Sequence, residues 1–402
     1  MTESMNKTVV INATNLGKSL DGIGTYTLNI VRELAHSKTS LNILVYINRC
    51  GAVHCKQIHF PDNVNIVQVS GLLSPDHGFR GHLLRLLFAN YLGICHPRKL
   101  ILVLSQLEAI FLRRNQVVMI HDLIPLSYKS CHKKQYPYFK YILPLTLRRA
   151  KAILTPSEHT RGLLRTSYGI DPGKVTVIPH GISEEFFEQS GIEHSSERPY
   201  ILFLGRMTQM KNLDGIMRAF AFVQHTIPHN LVLVGQEKEK GERFFSTREL
   251  ERYGVDTDRI IVKGYLATDA MVDILRRASL LAFPSLCEGF GLPAIEAMAV
   301  GCPVVASNVG SLPEVCGEAA LYIDPHNPRS IADGMHRVLT DHALRQWLIS
   351  EGLRLVRKYS WEKSFASHLQ VIEDLTVRMK PAPSPEAGPR STRLIPESLS
   401  LQ

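Results

Sequence analysis

The chain has 402 residues, 45% hydrophobic and 21% charged, with a net charge of +9. This suits a globular chain of two ordinary domains and excludes a disordered or collagen-like one. No apolar run approaches the roughly 18 residues of a membrane span, and the seven cysteines contain no C-x-x-C pair, so reduced thiols are expected rather than a disulfide framework or a zinc site.

The opening MTESMNKTVVINATN runs straight into a strand without a signal peptide's apolar core, which predicts a cytoplasmic protein. Short β-branched runs follow in order: KTVVINA, LNILVYI, NVNIVQV, KLILVLS, QVVMIHD, AKAILTP and KVTVIP. Helical stretches such as 25–35 and 138–150 lie between them. The polar stretch PHGISEEFFEQSGIEHSSERP interrupts the alternation, which then restarts with YILFLG, NLVLVG, RIIVKGY, SLLAFPS, CPVVAS and ALYIDP. The expectation is an α/β protein of two doubly wound, Rossmann-like domains, residues 1–180 and 195–360, facing a central cleft. Residues 381–402, rich in Pro and Ser, are expected to be a disordered tail.

Charge divides unevenly between the halves. Residues 1–180 hold 22 Lys and Arg against 9 Asp and Glu, a net +13, and the remainder is net −4. A basic half calls for an anionic partner: a phosphate-bearing substrate or an acidic membrane surface. Nucleic acid is not expected, because no nucleic-acid motif is present. Within the basic half, HLLRLLFANYLGICHPRK (82–99) joins apolar residues to Arg85, Arg98 and Lys99. Alone it reads as a core helix with solvated ends; with the +13 it also reads as a membrane-surface helix.

In doubly wound sheets the loops at the carboxyl ends of strands bind ligands. The richest such loop is SLCEGFGLPAIEAMAVGCPVVAS (285–307), where Glu288 and Glu296 flank a glycine turn and a helix start. Gly289 and Gly291 permit a tight turn whose amides favour phosphate. Carboxylates beside such a turn suit neutral hydroxyl groups, which donate hydrogen bonds to them while the amides hold a diphosphate between. After YILFLG, Arg206 and Lys211 lead into a helix and form a candidate diphosphate clamp. SLDGIGTYTLNI (19–30) places Gly22, Ile23 and Gly24 after the first strand; it is short of a G-x-G-x-x-G fingerprint, and a plain tight turn reads equally well. His121 and Asp122 end the strand VVMIHD. His121 could donate to a substrate oxygen, or be a structural histidine bonded to backbone. Asp256-Thr257-Asp258 has the form of a D-x-D metal motif but precedes a strand, at the wrong edge, so it reads as a turn and no metal is expected.

These four motifs, in this order, resemble the retaining glycosyltransferases of the GT-B fold, in particular the large fourth family with its E-x(7)-E signature, here EGFGLPAIE. The resemblance extends to about residue 375, and KYSWEKSF (358–365) looks like the point where the last helices return to the first domain, so that 361–380 would pack on it. It implies that Glu296 binds the ribose of a nucleotide-sugar donor and that Glu288 holds a donor-sugar hydroxyl. Phe290, Gly291 and Leu292 would lie near sugar and diphosphate, with Gly289 in the turn. Arg206 and Lys211 would neutralise the departing diphosphate, although Met210 stands where the family often has a further basic residue. His121 would contact the sugar, Gly22 would close on the phosphates, and Lys263, Gly264, Tyr265 and Leu266 would border the base. The implied reaction retains anomeric configuration without a metal or cofactor. The resemblance is greatest to bacterial mannosyltransferases of polysaccharide and O-antigen assembly, so GDP-mannose is the expected donor and a glycan or lipid-linked molecule the acceptor. A UDP-hexose donor, a nucleotide-sugar 2-epimerase and an inactive regulatory copy are the alternatives.

Overall fold

A computed structural model describes residues 8–111, 113–188, 198–235 and 252–378. The expected tail, 381–402, lies outside them.

All thirteen expected strands form. The first seven are β1 (Thr8–Asn12), β2 (Asn42–Asn48), β3 (Val64–Val69), β4 (Leu100–Val103), β5 (Gln116–Met119), β6 (Ala152–Thr155) and β7 (Val175–Val177). The next six are β8 (Tyr200–Leu204), β9 (Asn230–Val234), β10 (Ile260–Lys263), β11 (Leu280–Phe283), β12 (Val304–Ser307) and β13 (Ala320–Ile323). Their continuous apolar runs suit parallel strands covered on both faces; β4, β5, β6, β11 and β12 are buried at every residue.

The two sheets are wholly parallel, ordered β3-β2-β1-β4-β5-β6-β7 and β10-β9-β8-β11-β12-β13. Both are doubly wound, and in each the winding reverses beside the sheet's first strand: between β1 and β4, and between β8 and β11. Such a reversal opens a crevice at the carboxyl edge, where ligands bind. Topology therefore dictates that the loops after β1, β8 and β11 carry function. They are the loops with Gly22, with Arg206 and Lys211, and with Glu288.

Six helices matter for the site: α1 (Gly22–Glu33), α2 (Gly78–Cys95), α3 (Glu158–Tyr168), α4 (Leu213–Val223), α5 (Leu292–Ala299) and α6 (Trp361–Val377). Helix α6 belongs to the end of the chain but returns to the first sheet's layer. Its His368 Nε2 accepts from the Tyr26 hydroxyl of α1 at 2.7 Å, and its Glu373 accepts from Thr39 at 2.8 Å. The chain crosses between domains twice side by side, since a Cβ on Gly181 would lie 2.2 Å from the Trp361 nitrogen. Only glycine fits there.

Helix α2 departs from the core-helix reading. Its buried side is Gly81, Arg85, Ala89 and Leu92, while Phe79, Leu83, Leu87, Tyr91 and Ile94 face outward. Arg85 is not part of a solvated basic flank: its guanidinium is buried and bonds Glu108 at 2.8 Å and the Leu73 carbonyl at 3.0 Å. The stretch 138–150 forms, but its first part, Tyr138–Ile142, is wound as a π-helix before the α-helix Leu143–Arg149. All seven cysteines are free thiols.

Candidate active site

The crevices of the two sheets face each other across a cleft of about 710 Å³. The loop after β11 makes its floor. Gly291 has a left-handed φ of 103° and no side chain to cap α5, and Pro293 occupies the helix's first turn, so the α5 N-terminus opens toward the cleft without a capping group. Gly289 meets the first domain so closely that a Cβ would lie 2.0 Å from the His121 carbonyl oxygen. Its own carbonyl accepts from the Ser157 hydroxyl at 2.7 Å. One turn thus touches both the cleft and the opposing domain. Nearby, Glu314 caps α3 from across the cleft, accepting from the amides of Glu158 at 2.7 Å and His159 at 3.0 Å.

The loop after β8 supplies the cations. Gly205 turns at φ 145°, and Asn212 adopts a left-handed φ of 61°, unusual for a residue with a Cβ. Asn212 is held there because its amide bonds the carbonyls of Pro284 and Pro325 while its oxygen caps α4 through Gly215. That anchor fixes the preceding Lys211, whose Nζ lies 2.5 Å from Glu288 Oε1 in a mostly buried pair. Arg206 spans the cleft to Asp21, Nη2 to Oδ2, at 3.3 Å. Both expected clamp residues therefore meet carboxylates.

Asp21 was not singled out in the sequence. It caps α1 by accepting from the Gly24 amide at 2.9 Å, and its other oxygen faces Arg206. Beside it the Leu20 amide donates to the Tyr265 hydroxyl at 3.2 Å, a second bridge between the domains. Gly22 and Ile23 line the cleft. Gly24 does not: it is buried within α1, where its amide donates to the Asp21 cap.

His121 lines the cleft in a form different from the expected donor. Burial pushes its pKa down to about 4, so it is neutral, and its Nε2–H is committed to the Leu104 carbonyl at 2.9 Å. The free Nδ1 is a lone pair. It can accept from a hydroxyl but cannot donate to an oxygen. Asp122, next in the chain, also lines the cleft, and burial raises its carboxyl above the usual range. His180, at the end of β7, stacks near Phe290 and Trp361 with its imidazole held neutral by burial. Asp122, already visible at the end of VVMIHD, and His180 both lie in the loops just after strands β5 and β7, the signal that could have found His180.

Glu296 lines the cleft from α5, and burial alone pushes its carboxyl up to about 7. Tyr265 and Leu266 line the cleft, whereas Lys263, the last residue of edge strand β10, and Gly264 just after it are exposed and do not. Of the stretch expected to border the base, the cleft therefore holds Tyr265 and Leu266: an edge strand's end is open to solvent, and only the following loop turns inward. Asp256-Thr257-Asp258 forms a turn at the amino end of β10, with Asp256 capping the Asp258 amide at 3.0 Å. Among the described residues no cluster of three or more His, Cys, Asp or Glu could hold a metal ion.

Comparison with known proteins agrees with this geometry. Residues 20–186 match the profile of glycosyltransferase family 4, and residues 184–354 that of the glycosyl transferases group 1. The chain is 30% identical over 288 residues to the serotype-specific mannosyltransferase WbdA of Escherichia coli, covering 68% of this chain but only about a third (34%) of that protein. It is 27% identical to O-antigen chain mannosyltransferase B of Escherichia coli, over 85% of this chain and 93% of that one. The structure of Anabaena Alr3699/HepE in complex with UDP-glucose superposes with a TM-score of 0.68 at 17% identity, covering 90% of this chain and 99% of the other. With two parallel Rossmann-like sheets, a cleft at their paired switch points and both halves matched in order, the chain belongs to the GT-B glycosyltransferases of the family-four type.

Proposed function

We propose that this protein transfers mannose from GDP-mannose to a glycan or lipid-linked acceptor of cell-surface polysaccharide, with retention of anomeric configuration and without a metal. The reading rests on one observation above the others: Lys211, Glu288, Glu296 and an uncapped helix N-terminus converge in a cleft that Arg206 and Asp21 bridge. Glu296 would take the ribose hydroxyls and the α5 N-terminus the diphosphate. Glu288 and the His121 Nδ1 lone pair would accept from sugar hydroxyls, which fixes the anomeric carbon over the turn.

Cleavage of the anomeric bond leaves an oxocarbenium-like sugar and new negative charge on the diphosphate. Lys211, Arg206 and the helix dipole stabilise that charge. The acceptor hydroxyl then attacks from the face the diphosphate leaves, and the departing phosphate takes its proton. Mannose is favoured because the two relatives above are named mannosyltransferases; the UDP-glucose complex of the structural neighbour supports a UDP-hexose as the second reading. The basic first domain supports a peripheral position on an acidic cytoplasmic membrane surface.

The test is a panel of nucleotide sugars with a lipid-linked acceptor in excess chelator, following nucleoside diphosphate release and product linkage. GDP-mannose should be consumed and the anomeric configuration kept. An inverted product, or activity only with a divalent ion, would overturn the mechanism; consumption of a UDP-hexose alone would replace the donor.

A further inference from the structure

Five large apolar side chains of α2, Phe79, Leu83, Leu87, Tyr91 and Ile94, are between 48% and 77% exposed. Their spacing of four, four, four and three residues draws one stripe along the helix, opposite the buried stripe of Gly81, Arg85, Ala89 and Leu92. Large apolar residues exposed singly need no explanation, but a contiguous stripe marks a surface built to be covered.

The surroundings of the stripe identify the cover. From His77 to Leu107 the sequence has no acidic residue, and from Leu123 to Ser157 it again has none while carrying seven Lys and Arg. The second stretch lies against the first: Lys134 Nζ sits 5.5 Å from the Phe79 ring and the His82 and Tyr138 rings are 6.3 Å apart. Lys129 and Lys140 rest over the Tyr136 ring at 4.9 and 5.6 Å. Apolar side chains bordered by aromatic rings and lysines, with no acid among them, match the layered chemistry of an anionic lipid surface. A second copy of the chain is disfavoured, because a two-fold interface would set this cationic border against itself.

We propose that the α2 stripe and its lysine border form the face by which the protein docks on an anionic bilayer, lying on it rather than crossing it. This rests on, and gives a location to, the membrane reading above. Among the described residues no helix is long and apolar enough to span. The face also adjoins the cleft at the amino end of α2. The segment leading into α2 holds Asp76, which accepts from the amide of cleft-lining Lys18 at 3.0 Å. Docking there would bring a lipid-linked acceptor to the cleft mouth.

The full chain is sedimented with vesicles of phosphatidylcholine alone and of phosphatidylcholine mixed with phosphatidylglycerol, at low and high salt. Binding should need the anionic lipid and weaken with salt, since surface attraction fades within about 8–10 Å at physiological ionic strength. Lys133→Glu with Lys134→Glu should weaken it about tenfold or more. Leu83→Gln, Leu87→Gln and Tyr91→Gln together should abolish it even at low salt, with nucleoside diphosphate binding unchanged as the control for folding. Equal binding to both vesicles, or binding that survives both sets of substitutions, would overturn the proposal. So would a dimer that the Gln variant dissolves, because the occupant would then be a second copy. Sugar transfer without vesicle binding refutes this face alone; vesicle binding without turnover of any nucleotide sugar refutes the catalytic reading alone.

Discussion

Replacing Glu296 with Gln tests the cleft most sharply, because the same carboxylate carries a cost to folding and a gain to binding. Burial moves it from an ordinary 4.5 up to about 7, and no hydrogen bond or cation among the described residues offsets that. The folded protein therefore holds this proton more tightly than the unfolded chain. With respect to Glu296, folding is most favourable below pH 4.5, weakens as pH rises from 4.5 to 7, and is constant above. In full the displacement is worth about 3 kcal/mol; cleft water reaching a partly exposed group reduces that to about 1–2 kcal/mol. Glu296→Gln should be more stable than wild type by that amount at about pH 8, and equal to it near pH 4.5. Urea titrations across this range measure the difference.

Binding has the opposite dependence. If Glu296 takes the ribose as proposed, the hydroxyls donate to its ionised form, so affinity for the nucleotide sugar should fall as pH drops through 7. The variant should show no such fall and should bind about tenfold more weakly at high pH, the worth of a hydrogen bond to a charged group. Titration with the nucleotide sugar is preferred to free diphosphate, because the diester has no group titrating in this window. His121 and His368, at about 4, stay neutral throughout. Asp122 is the other cleft carboxyl raised by burial, and Asp122→Asn serves as the control. A wild-type affinity without an inflection near 7, or a variant that binds as tightly as wild type, would refute the ribose assignment.

Three further outcomes follow from the clamp. Lys211→Ala should lower transfer about 10- to 100-fold, and adding Glu288→Gln should restore part of the lost stability, since Glu288 no longer keeps a buried unpaired charge; wild-type transfer by Lys211→Ala in a rate assay would remove this loop from the diphosphate. Asp21→Asn keeps the α1 cap but loses the charge facing Arg206, so calorimetry should find nucleoside diphosphate bound about two- to fivefold more tightly; weaker binding would show that the carboxylate does not compete. Gly289→Ala forces a Cβ against the His121 carbonyl and should lower both melting temperature and kcat/KM; unchanged values would show that the domains do not approach so closely in solution.

Much of this architecture was legible because parallel strands buried on both faces leave unmistakable apolar runs. Strand order then follows from winding, and winding places Glu288, Lys211 and Arg206 at the crevices. What a single sequence does not show is which charges meet. Asp21 and Arg206 are 185 residues apart and join only because two domains face each other. The state of His121 depends on the Leu104 carbonyl, a backbone group with no side-chain signature. Lys263 and Tyr265 differ by two positions, and only the bend after an edge strand decides which faces the cleft. Helix α2 was ambiguous for another reason. Periodicity locates a buried face by contrast with a polar one, and here the outward side is apolar while the buried side carries Arg85, so the exposed stripe is invisible without the packing of Ala89 and Leu92.

The carboxylates in this anion site have a common logic in the charge balance of the cleft. Lys211 is matched by Glu288 and Arg206 by Asp21, so the clamp presents its cations already shared. A diphosphate entering such a site draws on cations partly held by carboxylates and binds less tightly than it would to bare ones. Charge that develops during bond cleavage shifts the balance further toward the leaving group, so the gain is concentrated in the transition state. Once the sugar has gone, Glu288 can recover Lys211, which favours release of the nucleoside diphosphate. Removing a carboxylate should therefore tighten product binding while slowing turnover. An enzyme limited by product departure would show the two changes together.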